Sequence, residues 1–222
     1  MFSWKSLKFL SLNMEQLILF GMLAITLLMV ASRRMTSLIG NFRIQSAFLC
    51  LLTLLEAVKG GNPALYIVAL LIFTVKVAAI PFFLTRIVKR INAGEAVGSF
   101  LNYQLSLVAT ALLIYFSWVF AGRLFAGGTL AVPATVAFAT VLTGIFIMVL
   151  RISALAQVVG LLVMENGLFL LAAYVSGGMP LLVELAVALD VLVSVLILGM
   201  FIYRINYLFT DIDVSRLNRL KG

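Results

Sequence analysis

The sequence predicts an all-α protein, a polytopic integral membrane protein of about seven transmembrane helices. Three observations predict it. Of the 222 residues, 64% are hydrophobic and only 11% charged. A soluble domain is about 45–50% apolar and about 25% charged. Mean hydropathy is +1.21, and the apolar residues fall into runs separated by short polar or Gly/Pro-rich breaks. Each run meets the roughly 17–25 residues a bilayer-crossing helix needs.

In chain order, residues 1–13 read as an amphipathic or irregular lead-in. They carry Lys5 and Lys8 but no small-residue cleavage pattern, so a removable signal peptide is not expected. Span 1 covers 14–32 and stops at Arg33 and Arg34. Span 2 covers 38–58, with Arg43 and Gln45 in its first turns, and residues 60–63 (Gly-Gly-Asn-Pro) form a turn. Span 3 covers 64–84, with Lys76 inside it and Pro81 one turn later. Residues 86–98 are a polar connection. Span 4 covers 100–121, and 122–133 is a Gly-rich loop. Span 5 covers 134–150, closed by Arg151; span 6 covers 152–175; the turn Ser-Gly-Gly-Met-Pro follows; span 7 covers 181–205. A polar tail, 206–222, mixes Asp211 and Asp213 with Arg216, Arg219 and Lys221. No internal repeat is evident.

Seven spans put the termini on opposite sides. One side then collects Lys5, Lys8, Lys59 and Arg123. The other collects Arg33, Arg34, Arg43, Arg86, Lys89, Arg90, Arg151, Arg204, Arg216, Arg219 and Lys221. Cytoplasmic loops carry the excess of Lys and Arg, so the N-terminus is expected outside and the C-terminus in the cytoplasm. The net charge of +8 thus reports orientation in a lipid bilayer, not a nucleic-acid partner.

Composition also limits the chemistry. There is one cysteine, Cys50, and no histidine. An intramolecular disulfide, a four-cysteine iron–sulfur cluster and histidine-ligated haem are excluded. Such a chain is a poor candidate for zinc or non-haem iron. No cofactor and no catalytic centre of its own are expected. The absence of G-x-x-x-x-G-K-[ST] argues against a nucleotide-driven pump.

What stands out is charge inside apolar runs. Glu165 lies near the middle of span 6 and Asp190 near the middle of span 7. A carboxylate at the centre of a membrane helix costs about 2.5–3.5 kcal/mol on insertion scales. Measured from the outer ends of their helices, Asp190 lies ~15 Å deep, Glu165 ~18 Å and Lys76 ~20 Å, at 1.5 Å per residue. All three fall in one layer near the midplane. Two readings stay open. Glu165 and Asp190 form a proton relay, with Lys76 as a member or counter-ion and Glu184, nearer the outer end, as an exit group. Alternatively, the acids are packing contacts neutralised by Lys76 or a hydroxyl, and Glu184 is an interfacial carboxylate. Asn166 reads as glue between helices. Glu15 and Glu56 read as interfacial, and Arg43 as snorkelling. Pro81 cannot donate to the carbonyl of Val77, which reads as a kink. The Gly and Ala content reads as close helix packing.

The last 70 or so residues resemble a known family. Arg151, Gly160, Asn166, the Gly-Gly-Met-Pro turn and a following span with a central acid resemble the NuoK subunit of respiratory complex I. The likeness is closer to component E of hydrogenase-4-type membrane-bound nickel–iron hydrogenases. That family carries Met-Glu-Asn-Gly, as at 164–167, then Val-Glu and an Asp, as at Val183, Glu184 and Asp190. It ends in Leu-Lys-Gly, as at 220–222, and has Thr-Lys-Val with a downstream Pro. Here the corresponding residues are Thr74, Lys76, Val77 and Pro81. Spans 1, 2, 4 and 5 contribute mainly hydropathy. The resemblance divides the chain into an N-terminal five-helix region, 1–150, and a NuoK-like two-helix region with a cytoplasmic tail, 151–222.

The resemblance implies a membrane subunit of a complex-I-like, hydrogenase-4-type respiratory complex in a prokaryotic cytoplasmic membrane. It would contribute to proton translocation. The partners would be antiporter-like and other membrane subunits and a soluble hydrogenase or dehydrogenase arm holding the redox chemistry. Glu165 and Asp190 would take the roles of NuoK's two buried glutamates. There are two departures. Anchored on Gly160 and Asn166, NuoK's first glutamate falls at Leu162, three residues before Glu165, a shift of ~4.5 Å along the helix. The second acid is Asp, one methylene shorter. A stand-alone secondary transporter or antiporter and a purely structural subunit are the alternatives.

Overall fold

A computed structural model describes residues 4–61, 63–91, 97–126 and 128–175. They belong to one compact unit, Met1–Val187; the second unit, Ala188–Gly222, lies outside the described residues, and with it Asp190 and the tail. Glu184 and the seventh predicted span also lie outside them.

The described residues are helical apart from short connections, which include an isolated bridge between Ser99 and Arg151. In order they form α1 (Trp4–Ala31), α2 (Met35–Gly60), α3 (Pro63–Ile72), a π-helical segment (Phe73–Ala79), α4 (Ile80–Ile91), α5 (Tyr103–Leu124), α6 (Ala131–Leu150) and α7 (Ala154–Val175). Among the described residues, six stretches are long and apolar enough to cross a membrane, α3, the π segment and α4 counting as one, Pro63–Lys89. The chain is therefore a multi-pass, all-α membrane protein, and the six described spans coincide with the first six expected.

Two boundaries differ most from the sequence reading. The helix of span 1 begins at Trp4, so most of the expected lead-in is a continuation of α1. The helix of span 3 runs to Ile91, so Arg86 and Lys89 ride on its last turns, not on a polar connection. Charge ends a membrane span without ending a helix, because backbone bonding is indifferent to whether a side chain meets lipid or water.

α6 and α7 make the most extensive helix pair. Their backbones touch because glycine lines the seam. A methyl built at Gly144 would collide with the backbone of Met164, reaching its Cα at 2.7 Å. One at Gly160 would lie 2.9 Å from the carbonyl oxygen of Gly144, and one at Gly167 2.9 Å from that of Ala137. Small residues that admit close backbone approach are what membrane helices use to associate, as the Gly and Ala content implied. α1 and α2 pack on this pair, α5 covers α6 and α1, and α3 to α4 flank α2.

The bundle has three storeys. At one end an apolar core unites Leu19 and Met22 of α1, Leu49 and Leu52 of α2, Ile72 of α3, Ala137 of α6 and Phe169 and Leu170 of α7. It is closed by a polar cluster. Lys59 pairs with Glu15 and with Glu56 (3.1 Å), and the Tyr174 hydroxyl donates to Glu15 at 2.7 Å, tying α1, α2 and α7 together. At the other end sits Arg151, only 4% exposed. Its Nη2 donates to the carbonyls of Val30 (2.8 Å) and Ser32 (2.9 Å). The last carbonyls of a helix have no intrahelical partner, and Arg151 satisfies them where α1 ends. Burial pulls its guanidinium down from the usual arginine value without approaching neutrality. Backbone bonds from Val97 to Arg33, from Phe100 to Leu150 and from Ile152 to Gly98 lace the same end. The polar middle storey is the candidate site.

Candidate functional site

Lys76 lies in the centre of the π segment and is buried, with 1% of its surface exposed. The segment ends just before Pro81. Proline lacks an N–H, and its ring crowds the carbonyl four residues earlier. Instead of a simple kink, the preceding turn widens, and the N–H of Ile80 reaches back five residues to the carbonyl of Val75. A π turn inserts an extra residue into a helix and rotates its N-terminal half relative to its C-terminal half. Here the turn carries a lysine inward, towards α2 and α7.

The Lys76 Nζ donates to Asn166 Oδ1 at 2.8 Å. Asn166 is fully buried, and its Nδ2 donates to Ser46 Oγ at 3.2 Å and Gln45 Oε1 at 3.3 Å. Gln45 Nε2 in turn donates to Thr26 Oγ1 at 2.7 Å, and Thr26 donates to the carbonyl of Met22 at 2.8 Å. A continuous run of hydrogen bonds thus crosses the bundle from α1 through α2 and α7 to the π segment. All five side chains are buried.

This run has a direction. Thr26 commits its proton to a backbone carbonyl, so its oxygen accepts. That fixes Gln45 with its nitrogen towards Thr26 and its oxygen towards Asn166. Asn166 is then fixed with its oxygen towards Lys76. The amide orientations follow from this network. A lysine ammonium only donates, so an amide oxygen is the partner it requires. Carboxamides do not gain or lose protons at ordinary pH, so the titratable members of the storey are Lys76 and the residue next to Asn166 in sequence, Glu165.

Glu165 is 8% exposed. It sits on α7 between Met164, whose backbone meets Gly144, and Asn166. The glycine seam with α6 therefore holds the whole Met-Glu-Asn-Gly stretch in place. Lys76 and Glu165 are both buried in the middle storey, as their common depth in the sequence implied. Asn166 links α7 to α2 and to the π segment. Glu15 and Glu56 lie at the bundle end with Lys59, and Arg43 is exposed. Asp190 and Glu184, the other two relay candidates, are outside the described residues. Ser46 and Thr26 were not singled out from sequence, and Gln45 was noted only as a polar residue in the first turns of span 2. The available signal was Gln45, an amide in a span that is otherwise mostly apolar. Among the described residues there is no group of three His, Cys, Asp or Glu side chains that could hold a metal ion.

The chain is similar to the uncharacterized protein Rv0085 of Mycobacterium tuberculosis, with 31% identity over 206 residues, which cover 90% of this chain and 93% of that protein. No family model and no solved structure matches it.

Proposed function

The chain belongs to the family of the mycobacterial protein Rv0085, and we propose that it serves as a proton-relaying membrane subunit of a complex-I-like, hydrogenase-4-type respiratory complex. In this reading the chain has seven spans, with the N-terminus outside and the C-terminus cytoplasmic. It sits in a prokaryotic cytoplasmic membrane. Antiporter-like membrane subunits lie beside it, and a soluble hydrogenase or dehydrogenase arm supplies the redox chemistry.

The observation that carries the reading is Lys76, buried on a π turn and held by Asn166, in the same storey as Glu165. Ionisable groups within membrane spans are costly, and they mark ion pathways and proton relays. π turns recur at functional sites. A lysine and a carboxylic acid at one depth supply two groups whose protonation can be coupled. Glu165, Asp190 and Lys76 are the proposed relay members and Glu184 the exit group.

The test uses the intact complex in proteoliposomes. Glu165→Gln and Asp190→Asn keep shape and hydrogen bonding but cannot titrate. Each is expected to assemble normally, leave partner redox turnover measurable and lose proton pumping. Normal pumping by both variants would reject the relay and leave a structural subunit. Transport by the purified chain alone would instead establish a stand-alone transporter.

A further inference from the structure

A groove opens sideways between α2 and the helix that runs from the π segment into α4. Its volume is about 750 Å3. Thr36, Ile39, Gly40 and Arg43 line one wall, and Ala78, Pro81, Phe82 and Phe83 are among the residues of the other. Arg43 is exposed, although it lies eight residues into α2, ~12 Å from the start of that helix. Charged side chains within membrane spans almost always face the bundle interior or a water-filled cavity. Arg43 turns outward, into the groove.

We propose that this groove is a binding site for an anionic phospholipid, with the phosphodiester on Arg43 and the acyl chains along Phe82, Phe83 and Ile39. Three observations converge on that occupant. The first is direction. A helical side chain leans towards the N-terminus of its helix, so Arg43 extends towards the α2 start, where a bilayer places its headgroups. The second is charge. Arg86 and Lys89 are exposed on the last turns of α4, at the groove's headgroup end. The sequence has no Asp or Glu from residue 16 to 55 or from 57 to 94, so neither wall supplies a carboxylate to neutralise them. Basic residues at the membrane surface attract anionic lipids. The third is shape. Phe82 and Phe83 are 59% and 42% exposed, and a side chain built at Gly40 meets nothing within 4 Å. An acyl chain fits that open, apolar channel. A partner helix with an acid at the depth of Arg43 would have to bury two charges, whereas a phosphate reaches the guanidinium from the headgroup layer.

The experiment titrates the purified chain in a mild detergent with palmitoyl-oleoyl phosphatidylglycerol or the matching phosphatidylcholine, counting bound lipids by native mass spectrometry. One saturable phosphatidylglycerol site is expected, with affinity at least tenfold above that for phosphatidylcholine. Arg43→Gln is expected to reduce the difference to twofold or less. Gly40→Leu, which fills the groove without changing charge, is expected to weaken phosphatidylglycerol binding severalfold while the melting temperature holds. Arg123→Gln, on α5, is expected to change nothing. Equal affinity for the two lipids, or an Arg43→Gln protein that binds phosphatidylglycerol as before, overturns the proposal. So does a co-purifying polypeptide, including a second copy, that Gly40→Leu releases while lipid binding is unchanged; the groove would then be a protein interface. None of these outcomes depends on whether Glu165 relays protons.

Discussion

Lys76 on the π segment and Asn166 on α7 meet at 2.8 Å inside the bundle, ninety residues apart in sequence. The contact joins the π segment to the helix that carries Glu165. A hydrogen bond to a charged group contributes about 1.5–3 kcal/mol. Asn166→Leu is therefore expected to destabilise the protein by about that much, and Lys76→Met by a similar amount. Together they are expected to cost less than the sum, with a coupling of about 0.5–3 kcal/mol. A double-mutant cycle read by reversible unfolding in mixed micelles measures it. Strict additivity would mean that the two side chains do not stabilise one another.

That contact also shows what was legible in the sequence. Residue counts placed Lys76 and Glu165 at one depth because rise per residue is nearly constant. Which face each presents depends on helix rotation, and rotation depends on neighbours. Pro81 announced a disturbance around residue 77, but proline is compatible with a kink or a widened turn, and packing chose the latter. The six described spans were legible because lipid demands long apolar runs. Gln45 was visible only as an oddity beside Arg43. Thr26 and Ser46 were not visible, because single hydroxyls in membrane helices commonly bond their own backbone, as Thr53 and Thr140 do here. The Arg151 staple was read as a charge that closes a span, since its partners, Val30 and Ser32, are backbone carbonyls and carry no side-chain signal.

The glycine seam between α6 and α7 makes a sharp expectation. Gly144→Val would drive a branched side chain into the Met164 backbone, which cannot move without carrying Glu165 and Asn166 with it. Overpacking typically costs about 1–3 kcal/mol, and a backbone collision is expected at or above the top of that range. Gly122→Ala, where an added methyl meets nothing within 4 Å, is the matched control. Similar melting temperatures for the two variants would refute the close approach.

Arg151 invites a charge-retaining comparison. Arg151→Lys keeps the charge but loses the planar fork that reaches two carbonyls from one nitrogen. Arg151→Met keeps the aliphatic stem and leaves the carbonyls of Val30 and Ser32 without their donor. The expected order of stability is wild type, then Lys, then Met, with Met lower by about 1.5–3 kcal/mol. Resistance to limited proteolysis is expected to follow that order. Equal resistance in all three would remove Arg151 as the staple.

The last expectation concerns the direction of the hydrogen-bond run. Its polarity begins at Thr26, whose hydroxyl is spent on Met22 and whose oxygen then receives Gln45. Thr26→Ser preserves the hydroxyl and is expected to be nearly neutral. Thr26→Val is close in shape but strands the Gln45 nitrogen, and an unsatisfied buried donor costs about 1–3 kcal/mol. Ser46→Ala is expected to cost less, because Asn166 Nδ2 keeps Gln45 Oε1 as an acceptor. Gln45→Leu removes both the link to Thr26 and an acceptor of the Asn166 amide, so it is expected to cost most of the three. Gln45 and Lys76 share the Asn166 amide as a partner. Combining Gln45→Leu with Lys76→Met is therefore expected to be more stable than additivity allows, because both changes disrupt the same network. Chemical unfolding of the five proteins tests the order. If Ser46→Ala proves as damaging as Gln45→Leu, or the double variant is merely additive, then the orientation of Asn166 is set locally and not from Thr26 across the bundle.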